Sequence, residues 1–153
     1  MTLTGAELAA IRKHAEAEYP AECCGVVLVR EDREAERRLL PCRNIQDALH
    51  AQDPERFPRT ARTAYYMAHE DLLELSRAEM RGSRVEVIYH SHVDAGAYFS
   101  ETDRRNALVD GQPAYPQATY VVVAVHGGEA AEARAFRWEA GSQRFEEIPL
   151  EID

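Results

Sequence analysis

Two apolar runs constrain the fold of this chain more than any other feature. Residues 24–29 read Cys-Gly-Val-Val-Leu-Val, and residues 118–125 are also strongly apolar. A strand with one face in water alternates apolar and polar side chains, whereas an unbroken apolar run is expected of a strand buried on both faces. The chain is therefore expected to build a sheet that is covered by helices on its faces.

The remaining pattern predicts helices and further strands around these two. Thr4 and Glu7 form a capping box that starts a helix, and Pro20 ends it near Tyr19. Further helices are predicted over residues 69–81 and 100–110. Further strands are predicted over residues 37–42, 63–67, 85–90, 133–138 and 145–150, and residues 43–62 and 91–99 are predicted to be loops. The order α-β-β-(β)-α-β-α-β-β-β predicts an α/β or α+β fold with a mixed sheet, in one domain covering residues 1–153.

Composition excludes several classes of protein. The net charge of −9, from 27 acidic and 18 basic residues, argues against a nucleic-acid partner. Three cysteines, two of them adjacent, are unlike a disulfide framework, and the chain has no Cys-x-x-Cys zinc motif. The first fifteen residues lack the apolar segment of a signal peptide, and no apolar run is long enough to span a bilayer. A cytoplasmic protein without a membrane partner is therefore expected.

The tripeptide His90-Ser91-His92 follows the predicted strand over residues 85–90, and Asp103 comes eleven residues later. Two histidines at i and i+2 project to one face of a strand. With one carboxylate they form the ligand set of a catalytic zinc that keeps a position open for water. The alternative is structural, because Asp103 also completes a capping box with Ser100, and isolated histidines are more often structural than metal-binding.

A zinc hydrolase also needs a base near its metal. Glu22, placed between Pro20 and an apolar strand, is one candidate, although an ordinary exposed loop glutamate is the alternative. The segment from His90 to Asp94 begins like the His-x-His-x-Asp motif of metallo-β-lactamases. Its next histidine is absent, since residue 95 is alanine.

Taken together, Glu22, the His90-Ser91-His92 tripeptide, Ser100 and Asp103 resemble the JAMM motif of MPN+ domain metallopeptidases, especially the small stand-alone bacterial members. The resemblance implies an MPN/JAMM-like, cytidine-deaminase-like fold, in which helices sandwich a mixed β-sheet. It implies that His90, His92 and Asp103 bind zinc (Zn²⁺). It further implies that Glu22 is the general acid/base and that Ser100 donates to the oxyanion.

The activity implied by the resemblance is hydrolysis of a peptide or isopeptide bond after the C-terminal tail of a ubiquitin-like or sulfur-carrier protein. Two alternatives stay open: a non-catalytic MPN-type scaffold, and a zinc hydrolase of small amides. The sequence departs from many family members at Val93 and Phe99, where proline is common. Cys23 and Cys24 neighbour the expected site, and a buried apolar role is favoured over a nucleophilic one.

Overall fold

A computed structural model of the chain describes residues 1–33 and 35–153. The helices in these residues are α1 (Gly5–Glu18), α2 (Gln46–Gln52), α3 (His69–Met80) and α4 (Glu101–Ala107). The strands are β1 (Cys24–Arg30), β2 (Arg37–Cys42), β3 (Ser83–Val93), β4 (Leu108–Val109), β5 (Gln112–Pro113), β6 (Thr119–His126), β7 (Glu129–Glu139) and β8 (Arg144–Ile148).

The main sheet has six strands in the order β2-β1-β3-β6-β7-β8, and β4 and β5 form a separate small hairpin. Strands β3 and β6 are parallel, whereas the other neighbours in the main sheet are antiparallel. The expected mixed sheet is confirmed. Strand β1 lies between β2 and β3, so the chain segment that leads into β1 reaches the sheet directly beside β3.

Helices cover both faces of this sheet. Helix α1 contributes Ile11 and Ala15 to a buried cluster on one face. Helix α3 contributes Leu75 and Ala78, and α4 contributes Ala107, to a second cluster on the other face. The first six residues of β1 are all buried, which confirms the interpretation of the apolar run over residues 24–29.

Both predicted capping boxes are present. The hydroxyl of Thr4 accepts the Glu7 amide at 3.1 Å, and the Glu7 carboxylate accepts the Thr4 amide at 2.9 Å. Ser100 and Asp103 exchange the same pair of bonds at the start of α4, each at 3.0 Å. These bonds satisfy backbone amides that the first turn of a helix leaves without partners.

Four local predictions were wrong. Residues 43–62 contain helix α2. The N-cap of this helix, Ile45, makes no side-chain capping bond, so no capping residue in the sequence marks where the helix begins. Residues 63–67 form no strand, only an isolated bridge from Asn44 to Met67. Strand β3 continues to Val93 because β6 pairs with it as far as Val125. The helix predicted over residues 100–110 ends at Ala107, because Leu108–Val109 forms β4 and pairs with β5. None of the helices in residues 1–33 and 35–153 is long and apolar enough to cross a membrane.

Candidate metal centre

The carboxyl end of β3 carries the candidate metal ligands. His90 and His92 lie on one face of the strand. Ile88 lies on the same face, because residues two positions apart in a strand point to the same side. Ile88 belongs to the buried cluster that α3 and α4 cover, so the two histidines face these helices. His90 is fully buried and His92 is 5 % exposed. Helix α4 begins at Glu101, and its first turn presents Asp103 to the two histidines.

The three side chains converge on one point. The Nε2 atoms of His90 and His92 lie 3.3 Å apart, and each lies 3.1 Å from Oδ2 of Asp103. Ligand atoms at 2.0–2.1 Å from a tetrahedral zinc are separated by about 3.3 Å. Two imidazole nitrogens and a carboxylate oxygen at these separations fit a zinc ion, since all three can direct a lone pair to one central point.

Neighbouring groups orient the two imidazoles differently. Nδ1 of His92 lies 2.8 Å from the carbonyl oxygen of Gly96, so a proton on Nδ1 donates to that carbonyl and leaves Nε2 free as a ligand. Nδ1 of His90 has no hydrogen-bond partner among the described residues. Its ring stacks on Tyr65 at a centroid distance of 4.8 Å, and Tyr98 packs edge-on against His92 at 4.9 Å.

Asp103 serves the helix cap and the ligand cluster at the same time. Its Oδ2 accepts the Ser100 amide and also faces both histidines. Burial raises the pKa of Asp103, but this effect is outweighed by the charge and hydrogen bond of His90, the hydrogen bond of His92 and the Ser100 amide, which all lower the pKa. The net result is a pKa well below the usual range of a carboxyl. The capping and metal interpretations of Asp103 are therefore compatible.

Glu22 is not an ordinary exposed glutamate, since it is only 4 % exposed. Its amide donates to the carbonyl of Ala61 at 2.7 Å, and its own carbonyl accepts from Asn44 at 2.9 Å. The Oε1 atom has no hydrogen-bond partner in the described part of the chain. Burial, assisted by repulsion from Asp103 and opposed by Arg59, raises the pKa of Glu22 to about 9.

A cavity of about 300 Å³ adjoins three of the residues that the sequence singled out. Glu22, His92 and Ser100 all line it, together with Tyr98. The hydroxyl oxygen of Ser100 accepts the Asp103 amide, which leaves the hydroxyl proton for another acceptor. The arrangement places a buried carboxyl, a hydroxyl donor and one of the candidate metal ligands around one small volume, which are the kinds of group that hydrolysis of an acyl bond uses.

Asn44 supports this site and was not identified from the sequence. Its amide nitrogen donates to the carbonyls of Glu22 and Ala64, and its Oδ1 accepts the amides of Gln46 and Tyr66. Four bonds from one side chain tie the segment before β1 to the segment before α3. The signal in the sequence is weak, because asparagine is common in turns that have no such role.

Two residues within the motif region act as structural connections. The Ser91 hydroxyl points away from the histidines and accepts the Cys23 amide at 2.8 Å. Asp94 lies outside the ligand cluster, and its carboxylate accepts from Tyr19, Arg62 and the Gly127 amide at 2.8–3.0 Å. The resemblance of residues 90–94 to a metallo-β-lactamase motif therefore has no counterpart in the ligand set.

The cysteines near the site are buried, and they form no disulfide bond with one another. Burial raises the pKa of Cys23 to about 12, and burial likewise raises the pKa of Cys24 far above its usual value. A thiol needs its thiolate form to act as a nucleophile. These shifts support the interpretation of both cysteines as small buried side chains.

Comparison with known sequences agrees with this geometry. A family model described as prokaryotic homologs of the JAB domain matches residues 6–139. The CysO-cysteine peptidase of Mycobacterium tuberculosis is 31 % identical over 136 residues, which cover 88 % of this chain and 80 % of the relative. Tail tip assembly protein K of Escherichia phage N15 is 40 % identical over 95 residues, which cover 62 % of this chain but only 31 % of the phage protein.

Solved structures share the whole fold. A protein from Desulfitobacterium hafniense has a TM-score of 0.67 at 20 % identity, covering 99 % of this chain and 91 % of its own. A protein from Salinibacter ruber has a TM-score of 0.62 at 26 % identity, covering 100 % and 92 %. A JAB1/MPN domain protein from Archaeoglobus fulgidus has a TM-score of 0.52 at 15 % identity, covering 99 % and 98 %.

Proposed function

This chain belongs to the prokaryotic JAB domain family, and on that premise we propose that it is a zinc-dependent metallopeptidase of the JAMM type. The proposed reaction is hydrolysis of a peptide or isopeptide bond after the C-terminal tail of a ubiquitin-like or sulfur-carrier protein. The observation that carries the proposal is the convergence of His90, His92 and Asp103, whose ligand atoms lie within 3.3 Å of one another. The mycobacterial relatives are named CysO-cysteine peptidases, which supports peptidase chemistry at this site.

His90, His92 and Asp103 are the residues that would hold the zinc ion. When bound, zinc supplies a Lewis acid for the scissile carbonyl and lowers the pKa of water towards neutrality. Asp103 is suited to this role because its carboxyl stays ionised, and the Gly96 carbonyl fixes the ring of His92.

Glu22 is the proposed proton carrier. A zinc cation held by the neighbouring ligands would lower the pKa of Glu22 again and favour its carboxylate form. In that form the buried carboxyl, with one oxygen unpartnered in the described residues, takes a proton from the attacking water and gives it to the leaving amine. Backbone bonds to Ala61 and Asn44 fix the position from which it does so. Ser100 donates its hydroxyl proton to the carbonyl oxygen as negative charge develops there.

The test is cleavage of candidate carrier proteins that end in Gly-Gly and carry a short C-terminal extension. Intact mass spectrometry of the fusion with zinc-loaded enzyme should show loss of the extension. His92→Ala and Glu22→Gln should abolish it, and His126→Ala, which changes a half-exposed histidine of β6, should leave it intact. Zinc binding without cleavage of any fusion would favour the scaffold alternative, and equally fast cleavage of short amides would favour the small-amide alternative.

A further inference from the structure

Positive charge gathers at the candidate site of an otherwise acidic chain. The net charge is −9, yet the 300 Å³ cavity that contains Glu22 and Ser100 is also lined by Arg59, Arg62 and Arg105. A volume of this size lies at the lower end of the range of volumes that small-molecule binding sites have. The cavity therefore has room for a small group next to the proton carrier, and its wall favours an anion.

Among the residues that the structure describes, only one of these three guanidinium groups has an acidic partner. Arg62 forms an ion pair with Asp94 at 3.0 Å. Arg59 and Arg105 form no ion pair within the residues that the structure describes. Glu101, which also lines the cavity, is paired with Arg104 at 3.3 Å. Exposed arginines beside a cavity bind carboxylates through charge-assisted, often bidentate hydrogen bonds.

The two unpaired arginines also line a second cavity of about 250 Å³, together with Thr102, Phe57 and Tyr65. Arg59 and Arg105 therefore stand where the two cavities adjoin. A group held by both arginines lies next to the Glu22 cavity and has a partly aromatic surface on its other side.

The chemistry of the leaving group indicates which anion belongs there. Glu22 must deliver its proton to the leaving amine, so that amine lies beside Glu22 during the reaction. In a released amino acid, the carbon bonded to this nitrogen also bears the carboxylate. A lysine that leaves from an isopeptide bond instead has its carboxyl group several carbons away from the leaving nitrogen. Arg59 is near enough to Glu22 for its charge to oppose the rise in the pKa of Glu22, so a carboxylate bound by Arg59 lies near the leaving nitrogen only in the first case.

We propose that Arg59 and Arg105 bind the α-carboxylate of the released amino acid, so that the protein removes a C-terminal residue rather than cleaving isopeptide bonds to lysine. This inference rests on the proposed peptidase function. In the reaction, water is added across the C–N bond: the carrier gains the hydroxyl as a new carboxyl group, the amine gains a proton, and the bound carboxylate is unchanged.

The test compares three zinc-dependent substrates built on one Gly-Gly-ended carrier. The first carries a single C-terminal amino acid, the second carries the same residue as its carboxamide, and the third is joined to the ε-amine of lysine. Loss of a charge-assisted contact should lower kcat/KM for the carboxamide by about 10- to 100-fold relative to the free acid. The isopeptide should be cleaved as slowly as the carboxamide.

Variants assign the preference to the two guanidinium groups. Arg59→Gln and Arg105→Gln should each reduce the ratio of the acid rate to the carboxamide rate towards one. The ratio is informative because both substrates use Glu22 in the same way, so any indirect effect on its proton cancels. Arg104→Gln, the adjacent position of α4, should keep the full ratio, because its partner is Glu101.

Equal rates for the acid and the carboxamide in the unaltered enzyme would overturn the carboxylate site and leave the peptidase function standing. A ratio that survives both arginine substitutions would also overturn it. Absence of cleavage for all three substrates would instead overturn the proposed function, and the inference with it.

Discussion

Replacing Glu22 with glutamine should stabilise the zinc-free protein at neutral pH and at the same time remove its activity. The carboxyl is 4 % exposed, and its Oε1 atom has no partner among the described residues. Burial raises the pKa of Glu22 from 4.5 to about 9. Between these values the unfolded chain binds fewer protons than the folded chain, so folding stability decreases as pH rises.

The size of the effect follows from this difference in pKa. Well between pH 4.5 and 9, each pH unit lowers the free energy of unfolding by about 1.4 kcal/mol, and the slope is about half as large at either pKa. From pH 4.5 to pH 7 the cost therefore reaches about 3 kcal/mol. Glutamine has nearly the same shape and no charge to desolvate, so Glu22→Gln should avoid this cost at pH 7 and have little effect near pH 4.5.

Urea unfolding in the presence of a chelator, at pH 4.5 and at pH 7, measures the difference. Glu55→Gln, at an exposed position, is the control and should change stability little at either pH. With zinc present, Glu22→Gln should bind the metal but lose turnover by about 10²- to 10⁴-fold. Equal stability of the variant and the unaltered protein at pH 7, or a stability gain that does not vary with pH, would refute the reasoning.

Three further predictions concern the support of the site. Gly25→Ala places a methyl group on the buried ring of Tyr89 and should cost about 1–3 kcal/mol or prevent folding, as measured by thermal and urea unfolding. The pKa of Glu7 is raised by burial but lowered more by its bonds to Arg37, and the net shift is downward. Glu7→Gln should therefore cost about 1–2 kcal/mol at pH 7, and this loss should disappear as pH falls below 4.5. Asn44→Leu removes four hydrogen bonds and should cost about 2–3 kcal/mol and lower kcat, which unfolding and kinetic assays will separate.

Local sequence signals predicted most of the secondary structure because the chemistry that sets it is local. The capping boxes at Thr4 and Ser100 involve residues three positions apart, and the apolar run of β1 reports burial directly. Helix α2 was missed because its stability comes from distant contacts. Asp47 of that helix accepts the Ala61 amide, and Gln46 donates to the Arg59 carbonyl.

The composition of the candidate site was predictable only in part. The spacing of His90 and His92 on one strand follows from strand geometry, and the capping box accounts for Asp103 at the start of α4. Glu22 lies near them because β1 pairs with β3, with Cys24 opposite His90, and no local pattern contains that pairing. Resemblance to a family identified Glu22, whereas Asn44 and Arg59 lie in a segment without periodicity and were not identified.

The most direct test of the metallopeptidase proposal is the zinc content of the purified protein measured together with its activity. After chelation and dialysis, titration with zinc should restore cleavage of a carrier fusion with a break at about one equivalent per chain. His92→Ala should neither retain zinc nor recover activity. Full activity in the presence of excess chelator, or equal zinc content in His92→Ala, would contradict the proposed metal centre.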